Sequence, residues 1–118
     1  MRTVGGLQTI LLETRGAKSG ELRQSVVGSL DGGEGSWLVI ASLAGAARNP
    51  AWLHNLAARP EATISLDDGR RVEVRADSLE GQELDAAWAR LAAIAPQYVN
   101  YRSKTDREIT VLRLRRRA

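Results

Sequence analysis

Residues 62–77 read ATISLDDGRRVEVRAD, and this stretch decides the fold class of the chain. Apolar residues alternate with polar residues in both of its halves. They are Ala62, Ile64 and Leu66 in the first half and Val72, Val74 and Ala76 in the second. Alternation with a period of two is typical of strands that bury one face, and the Asp68-Gly69 pair between the halves favours a tight turn. The stretch therefore predicts an antiparallel β-hairpin.

Four further strands are predicted on either side of this hairpin. They lie at about 7–14, 22–30, 37–42 and 109–114. In the second of them Leu22, Val26 and Leu30 are expected to share the face that packs on the core, and a turn is expected at 31–33.

Two helices are predicted between and after these strands. The first begins at Asn49-Pro50, an N-cap residue followed by proline, and ends at Arg59-Pro60. The second runs from about Glu80 to Ala95 and is followed by a polar segment, 97–108. Its apolar residues along one side are Leu84, Trp88, Leu91 and Ala95. Six strands with two or three helices predict one domain, 1–118, of the mainly β or α+β class, as a small antiparallel barrel or a curled sheet.

Composition excludes several kinds of function. The chain has no cysteine and one histidine, His54, which excludes thiol catalysis and any cysteine-based or multi-histidine metal site. The net charge of +3 is modest, and the arginines of the last strand alternate with apolar residues, which argues against nucleic acid as a partner. No signal peptide and no run of ~20 apolar residues is found, so a cytoplasmic protein without a membrane span is expected.

The loop at 16–20 reads GAKSG and is the first candidate site. It is not a nucleotide P-loop, because Ala17 precedes Lys18 and a strand follows where a helix is required. A glycine-permitted turn can still direct backbone N–H groups at an anion, assisted by Lys18, Ser19 and Arg23. An ordinary solvated turn is the alternative.

Two more segments are candidates. Residues 42–52 place small residues after a buried strand and before a helix, so a flat ligand can approach the backbone; a plain connection with Trp52 in the core is the alternative. Tyr98 and Tyr101 are the chain's two tyrosines, and their spacing puts both phenols on one side of a helical turn. Phenols can donate a proton or a hydrogen bond, or they can be packing aromatics.

Four motifs occur in a characteristic order. They are G-x-K-[ST]-G-x-x-R after the first strand, A-S-x-x-G-x-x-x-N-P-x-W-x-x-N-L into the first helix, Y-x-x-Y, and K-T-D-R-E-I before the last strand. From about Gly5 to the last strand the chain resembles the deazaflavin-dependent nitroreductase family, which has a split β-barrel fold and uses coenzyme F420. The resemblance implies an oxidoreductase that transfers a hydride from the reduced coenzyme to a small electron-poor acceptor such as an enone, a quinone or a nitro compound.

The resemblance also implies site residues. The loop residues implied to hold the acidic part of the coenzyme are Lys18, Ser19, Gly20 and Arg23. Those implied to contact its ring are Ser25, Val26, Val27, Ala41, Ser42, Pro50, Trp52 and Asn55. Tyr98, Tyr101 and Ser42 are implied to donate hydrogen bonds or a proton to the substrate.

The resemblance leaves some alternatives open. A flavin (FMN) enzyme on the same barrel, or a non-catalytic protein that binds the coenzyme or a lipid-like ligand, would use the same groove. A homodimer is plausible for this fold group. Ala17 and Leu43 stand where many relatives have basic residues, and Val26 stands where many have proline. The loss of two cations is expected to weaken coenzyme binding.

Overall fold

The computed structural model describes residues 3–4, 7–41, 50–104 and 108–117, with side chains described over 7–41, 50–103 and 108–117. The strands are β1 (Thr3–Val4), β2 (Leu7–Arg15), β3 (Leu22–Gly33), β4 (Ser36–Ile40), β5 (Glu61–Ser65), β6 (Arg71–Ser78) and β7 (Val111–Arg116). The helices are α1 (Ala51–Ala58), α2 (Gly81–Ile94) and α3 (Gln97–Lys104).

The predicted hairpin is confirmed as β5 and β6, with Ala62 opposite Val74 and Ile64 opposite Val72. Neighbouring strands are antiparallel in the order β2-β3-β4-β7-β6-β5, and β5 pairs back onto β2, which closes a six-stranded barrel. The two-residue β1 pairs with the start of β2. The predicted class, a mainly β or α+β split barrel, is confirmed, because closure buries one face of every alternating strand.

Two apolar cores hold the barrel together. The barrel interior is filled by alternate strand residues, among them Leu12, Val39 and Ile64, and is completed by Trp52 and Leu56 of α1. A second core lies between the outside of the barrel and the helices α2 and α3. Its members are Leu7, Leu30, Leu38, Ile40, Leu79, Ala87, Trp88, Leu91, Ala95, Tyr98, Ile109 and Val111.

The prediction for the buried face of β3 was wrong. Leu22 and Val26 are 56% and 70% exposed, and Leu30 is buried only because it belongs to the core under the helices. The barrel interior instead receives Val27 from the opposite face. Apolar character alone does not distinguish a residue that faces the interior from one on an outer face that is covered along half of its length.

The polar segment at 97–108 contains helix α3, which includes the helical turn predicted at Tyr98 and Tyr101 and is the third of the two or three helices expected. Its aromatic residues pack in the core beside α2. One local prediction needs correction. Strand β3 runs through the predicted turn to Gly33 with a bulge, and the turn lies at Glu34-Gly35. Gly33, Glu34 and Gly35 all have positive φ (77°, 50° and 72°), so the chain reverses there.

Helix α1 begins at Ala51, directly after Pro50, and ends before Arg59, close to the predicted limits. The predicted N-cap Asn49, and also Ser42 and Leu43, lie outside the described residues.

Candidate functional site

The loop that joins β2 to β3 is a tight, internally bonded turn. Gly16 N–H donates to the Glu21 carbonyl oxygen at 2.8 Å, and Gly20 N–H donates to the Gly16 carbonyl oxygen at 2.9 Å. Gly20 has a φ of 73°, which a residue with a side chain adopts at a cost. Ser19 Oγ accepts the Glu21 N–H at 3.1 Å. Gly20 therefore permits the turn, and the Ser19 hydroxyl stabilises it.

The centre of this turn presents hydrogen-bond donors outward. Within the described part of the chain, the N–H groups of Lys18 and Ser19 donate to no protein acceptor, and the exposed Lys18 ammonium has no carboxylate partner. Arg23 is nearby and pairs with Glu21, Nη2 to Oε2, at 3.2 Å, with both side chains well exposed. Two adjacent amides without a protein acceptor, beside a cation, can bind an anion, so residues 16–20 are a candidate anion-binding turn.

A groove of about 570 Å³ adjoins the turn. It is lined by residues 16–19 of the loop, residues 23–25 of β3, and Ala51, Trp52 and Asn55 of α1. The structure therefore brings together six of the residues predicted to bind the coenzyme. These are Lys18, Ser19, Arg23, Ser25, Trp52 and Asn55.

None of the other described residues that were predicted to bind the coenzyme lines this groove. Gly20 faces the guanidinium of Arg59, and Val26 is exposed on the outer face of β3. Val27, Ala41 and Pro50 are buried, the first two in the barrel interior. Ser42 lies outside the described residues.

The tyrosines form a second cluster, on the outer face of β3. Their ring centroids are 5.4 Å apart with an angle of 72° between the ring planes, an edge-to-face contact. Tyr98 is 8% exposed, and its hydroxyl lies 3.2 Å from the position that a Cβ on Gly28 would occupy. Among the described residues this hydroxyl has no hydrogen-bond partner. Burial, and secondarily the neighbouring Tyr101, raises the pKa of Tyr98 above 10.0, so its phenol stays protonated near neutral pH.

One strand connects the two clusters. Gly28 is three residues from Ser25, which corresponds to about 10 Å at ~3.3 Å per residue. The exposed Val26 lies between them on the face that Gly28 shares. Over the described residues β4 pairs with β3 only from Ser29 onward, and no strand is seen on that side of β3 before it. A flat molecule lying along this edge would have the anion-binding turn at one end and the phenols at the other.

The structure adds three residues that the sequence analysis missed. Gly28 lets Leu7 and Tyr98 approach β3, because a Cβ there would lie 3.0 Å from Leu7 Cβ. A lone glycine inside a strand was the available signal for such a close approach. Thr14 is buried and accepts a hydrogen bond from Asn55, and the guanidinium of Arg59 packs beside Gly20. In both contacts the two residues are about 40 positions apart in the sequence, so no local pattern indicates them.

Other kinds of site find no support in the part of the chain that the structure describes. There, no group of three or more His, Cys, Asp or Glu residues is arranged to hold a metal ion. No helix among the described segments is both long and apolar enough to cross a bilayer.

Comparison with known proteins identifies relatives. A family model described as F420H(2)-dependent quinone reductase matches residues 1–115. The F420H(2)-dependent quinone reductase Rv1261c of Mycobacterium tuberculosis is 36% identical over 121 residues, which cover 98% of this chain and 78% of the relative. A relative from Mycobacterium bovis named "Putative F420H(2)-dependent quinone reductase Mb1292c" has the same identity and coverage.

Solved structures agree with this. An F420-H2-dependent reductase superposes with a TM-score of 0.80 at 29% identity, covering 97% of this chain and 98% of that one. A chain described as a domain-swapped dimer gives a TM-score of 0.81 at 30% identity, covering 91% and 79%. The Vibrio cholerae heme storage protein HutZ, at 13% identity and a TM-score of 0.72 over 94% and 82%, shares the fold alone.

These matches confirm the predicted resemblance to deazaflavin-dependent reductases, the coenzyme F420 and the oxidoreductase class, and the FMN alternative is not needed. Among the acceptors that the sequence left open, the family description names a quinone. The chain belongs to the F420H(2)-dependent quinone reductase family.

Proposed function

We propose that this protein binds F420 along the edge of β3 and transfers a hydride from the reduced coenzyme to a quinone held near Tyr98. The observation that carries the proposal is that β3 has the anion-binding turn at its start and, beside Gly28, the hydroxyl of Tyr98, which has no hydrogen-bond partner among the described residues. Family membership supports the coenzyme, and this arrangement supports the site.

The residues present fit the coenzyme. F420 has a flat ring and an acidic part that carries a phosphate and glutamates, and the turn offers it the free N–H groups of Lys18 and Ser19 with two cations beside them. The ring needs an apolar surface and hydrogen-bonding groups at its edge. Val26 supplies exposed apolar surface, and every second residue along the edge of β3 directs its backbone groups away from β2.

Hydride transfer to a quinone gives the phenols of Tyr98 and Tyr101 a role. When bound, the reduced coenzyme supplies the hydride. A quinone that accepts a hydride becomes a hydroquinone anion, and one proton completes the hydroquinone. Tyr98 is protonated, desolvated and free of other hydrogen bonds among the described residues, so it can donate a hydrogen bond to the oxygen on which charge develops. Tyr101 packs edge-on against it and holds its ring in place.

The side chains that line the groove would orient the ligand. Trp52 of α1 is buried in the barrel core and forms part of one wall, and Ser25 of β3 offers a hydroxyl. Binding energy at the turn, away from the reacting atoms, can be used to fix the ring against β3.

Assembly and location belong to the proposal as well. We expect a homodimer, for which the domain-swapped relative gives support, and multi-angle light scattering would measure the mass directly. A cytoplasmic location, a single domain over 1–118, and the absence of nucleic acid as a partner stay predictions.

The test is a titration followed by turnover. We expect F420 fluorescence to change saturably on addition of the protein, and F420H2 to be oxidised faster with a short-chain quinone than with an enone or a nitroarene. The same titration with FMN in place of F420 is the control, because it tests whether the protein recognises the ring and the acidic tail of F420. No saturable binding by folded protein in dilute buffer would refute the proposal, and saturable binding without oxidation by any acceptor would favour the non-catalytic alternative.

A further inference from the structure

The side chain of Asn55 connects helix α1 to the anion-binding turn, although the two are far apart in sequence. Asn55 Oδ1 accepts the Ala17 N–H at 3.0 Å, and Asn55 Nδ2 donates to Thr14 Oγ1 at 3.1 Å. Asn55 and Thr14 are 8% and 2% exposed. The bond to Thr14 is therefore buried where water cannot replace it at low cost, and the bond from Ala17 is partly buried.

The orientation of the amide follows from its partners. A backbone N–H can only donate, so the atom of Asn55 that faces Ala17 must be the oxygen. The nitrogen then faces the Thr14 hydroxyl, which can accept. A flipped amide would set two donors against each other at Ala17, so the network itself fixes the assignment.

This clamp acts on the residue next to the free amides. Ala17 immediately precedes Lys18 and Ser19, whose N–H groups donate to no acceptor among the described residues. The other bonds of the turn are donated by Gly16 N–H, Gly20 N–H, Glu21 N–H and the Arg15 guanidinium, and none of them involves Ala17. Without the bond to Asn55, the peptide at Ala17 would be less restrained, and so would the N–H groups that follow it.

We propose that Asn55, itself fixed by Thr14, is a positioning residue that pre-organises the turn for the acidic part of the coenzyme. This inference rests on the proposed function. It assigns Asn55 a role different from the ring contact that the family resemblance implies. An ordered turn binds an anion more tightly than a mobile one because the cost of ordering is not incurred on binding.

The inference predicts a larger effect on coenzyme binding than on chemistry. Asn55→Ala is expected to raise the Kd of F420 about tenfold, which corresponds to ~1.4 kcal/mol. Any fall in kcat at saturating coenzyme should be smaller than this rise in Kd, since the clamp touches no reacting atom. Thr14→Val, which removes the acceptor and keeps the shape, should raise the Kd about threefold, and Thr14→Ser, which keeps the hydroxyl, should restore it.

A readout without coenzyme tests the clamp directly. Amide hydrogen exchange at Ala17, measured by NMR on the protein alone, should speed up at least about tenfold in Asn55→Ala and less in Thr14→Val. Thr14→Ser should match the wild type. His54→Ala is the matched control, because His54 is the exposed neighbour on the same helix and does not line the groove. If Asn55→Ala does not fold, the two Thr14 variants carry the same test.

The outcomes separate this inference from the proposed function. Unchanged Ala17 exchange in Asn55→Ala would overturn the clamp. A lower Kd in that variant would show that the freed Ala17 N–H joins the anion site and would overturn it too. A lower kcat with an unchanged Kd would favour the ring contact that the family resemblance implies for Asn55. Failure of the wild-type protein to bind F420 would instead refute the proposed function, and with it the use of the clamp for the coenzyme.

Discussion

Lys18 offers the sharpest test of the anion-binding turn. Its ammonium is exposed and has no carboxylate partner in the described part of the structure, so its whole charge is available to a ligand. A hydrogen bond between charged groups contributes ~1.5–3 kcal/mol. Lys18→Ala should therefore raise the Kd of F420 about 10- to 150-fold at low ionic strength, since ~1.4 kcal/mol is a factor of ten.

The neighbouring arginine should matter less, because a carboxylate already shares its charge. Arg23 and Glu21 are 3.2 Å apart and both exposed, and such pairs are worth ~0.2–1 kcal/mol. Arg23→Ala should then weaken binding by only about 3- to 10-fold. Glu21→Gln should do the opposite and tighten binding by up to about fivefold, because it frees Arg23 and removes a negative charge beside the ligand.

The assay is fluorescence titration of F420 at low and at high salt. The Debye length falls from about 30 Å at ~0.01 M to about 3 Å at ~1 M salt, so the penalty of Lys18→Ala should shrink several-fold. Arg70→Ala is the matched control: it removes one positive charge from the β5–β6 turn, at the other end of β5 from the anion-binding turn. Equal losses at both salt concentrations, or an equal loss in the control, would refute an electrostatic contact, and weaker binding by Glu21→Gln would refute the role given to Arg23.

Three further outcomes follow from the geometry. Tyr98→Phe should lower kcat about 10- to 100-fold and leave the Kd of F420 unchanged, and stopped-flow oxidation of F420H2 measures this. Gly28→Ala should lower the free energy of unfolding by ~1–3 kcal/mol, because its Cβ would lie 3.0 Å from Leu7 Cβ, and denaturant titration checks it. Hydrogen bonds from Gln24, and then from Arg71, hold the pKa of Glu13 below 4.5. Glu13→Gln should therefore lower the free energy of unfolding by ~1 kcal/mol above pH 4.5. The difference should shrink progressively below that pH, because the wild-type carboxylate becomes protonated. A constant difference across that range would contradict the assignment.

The parts of the fold that the sequence predicted well are those whose signals are local. The β5–β6 hairpin is specified by strict alternation around Asp68-Gly69, and the core stripe of α2 by its helical spacing. Strand β3 could not be predicted in the same way. Its exposed Leu22 and its buried Leu30 share one face, and only the position of α2 and α3 decides which of them is covered.

The same difference between local signals and long-range contacts applies to the candidate site. Glycines and cations around Lys18 predict an anion-binding turn, and two tyrosines three apart predict paired phenols, because each signal is contained within one segment. The partner of the Ala17 N–H could not be predicted, since it comes from Asn55 in α1 through tertiary contact alone. Gly28 was missed for a similar reason: what its missing Cβ accommodates is a phenol from α3.

The location of the proposed site follows from how β3 is used. Within the described residues β3 pairs with β4 from Ser29 onward, where its buried Leu30 belongs to the core under α2 and α3, whereas before Ser29 only its pairing with β2 is seen. Exposed apolar residues on a strand edge favour aggregation, and Leu22 and Val26 are exposed there, with Arg23 as the charged residue between them. A flat coenzyme on this edge would bury that apolar surface. Tyr98 lies beside Gly28, where α2 and α3 begin to cover β3. The length of strand between the bound ring and Gly28 would therefore fix the distance from the ring to the Tyr98 hydroxyl. A quinone would bind between the two.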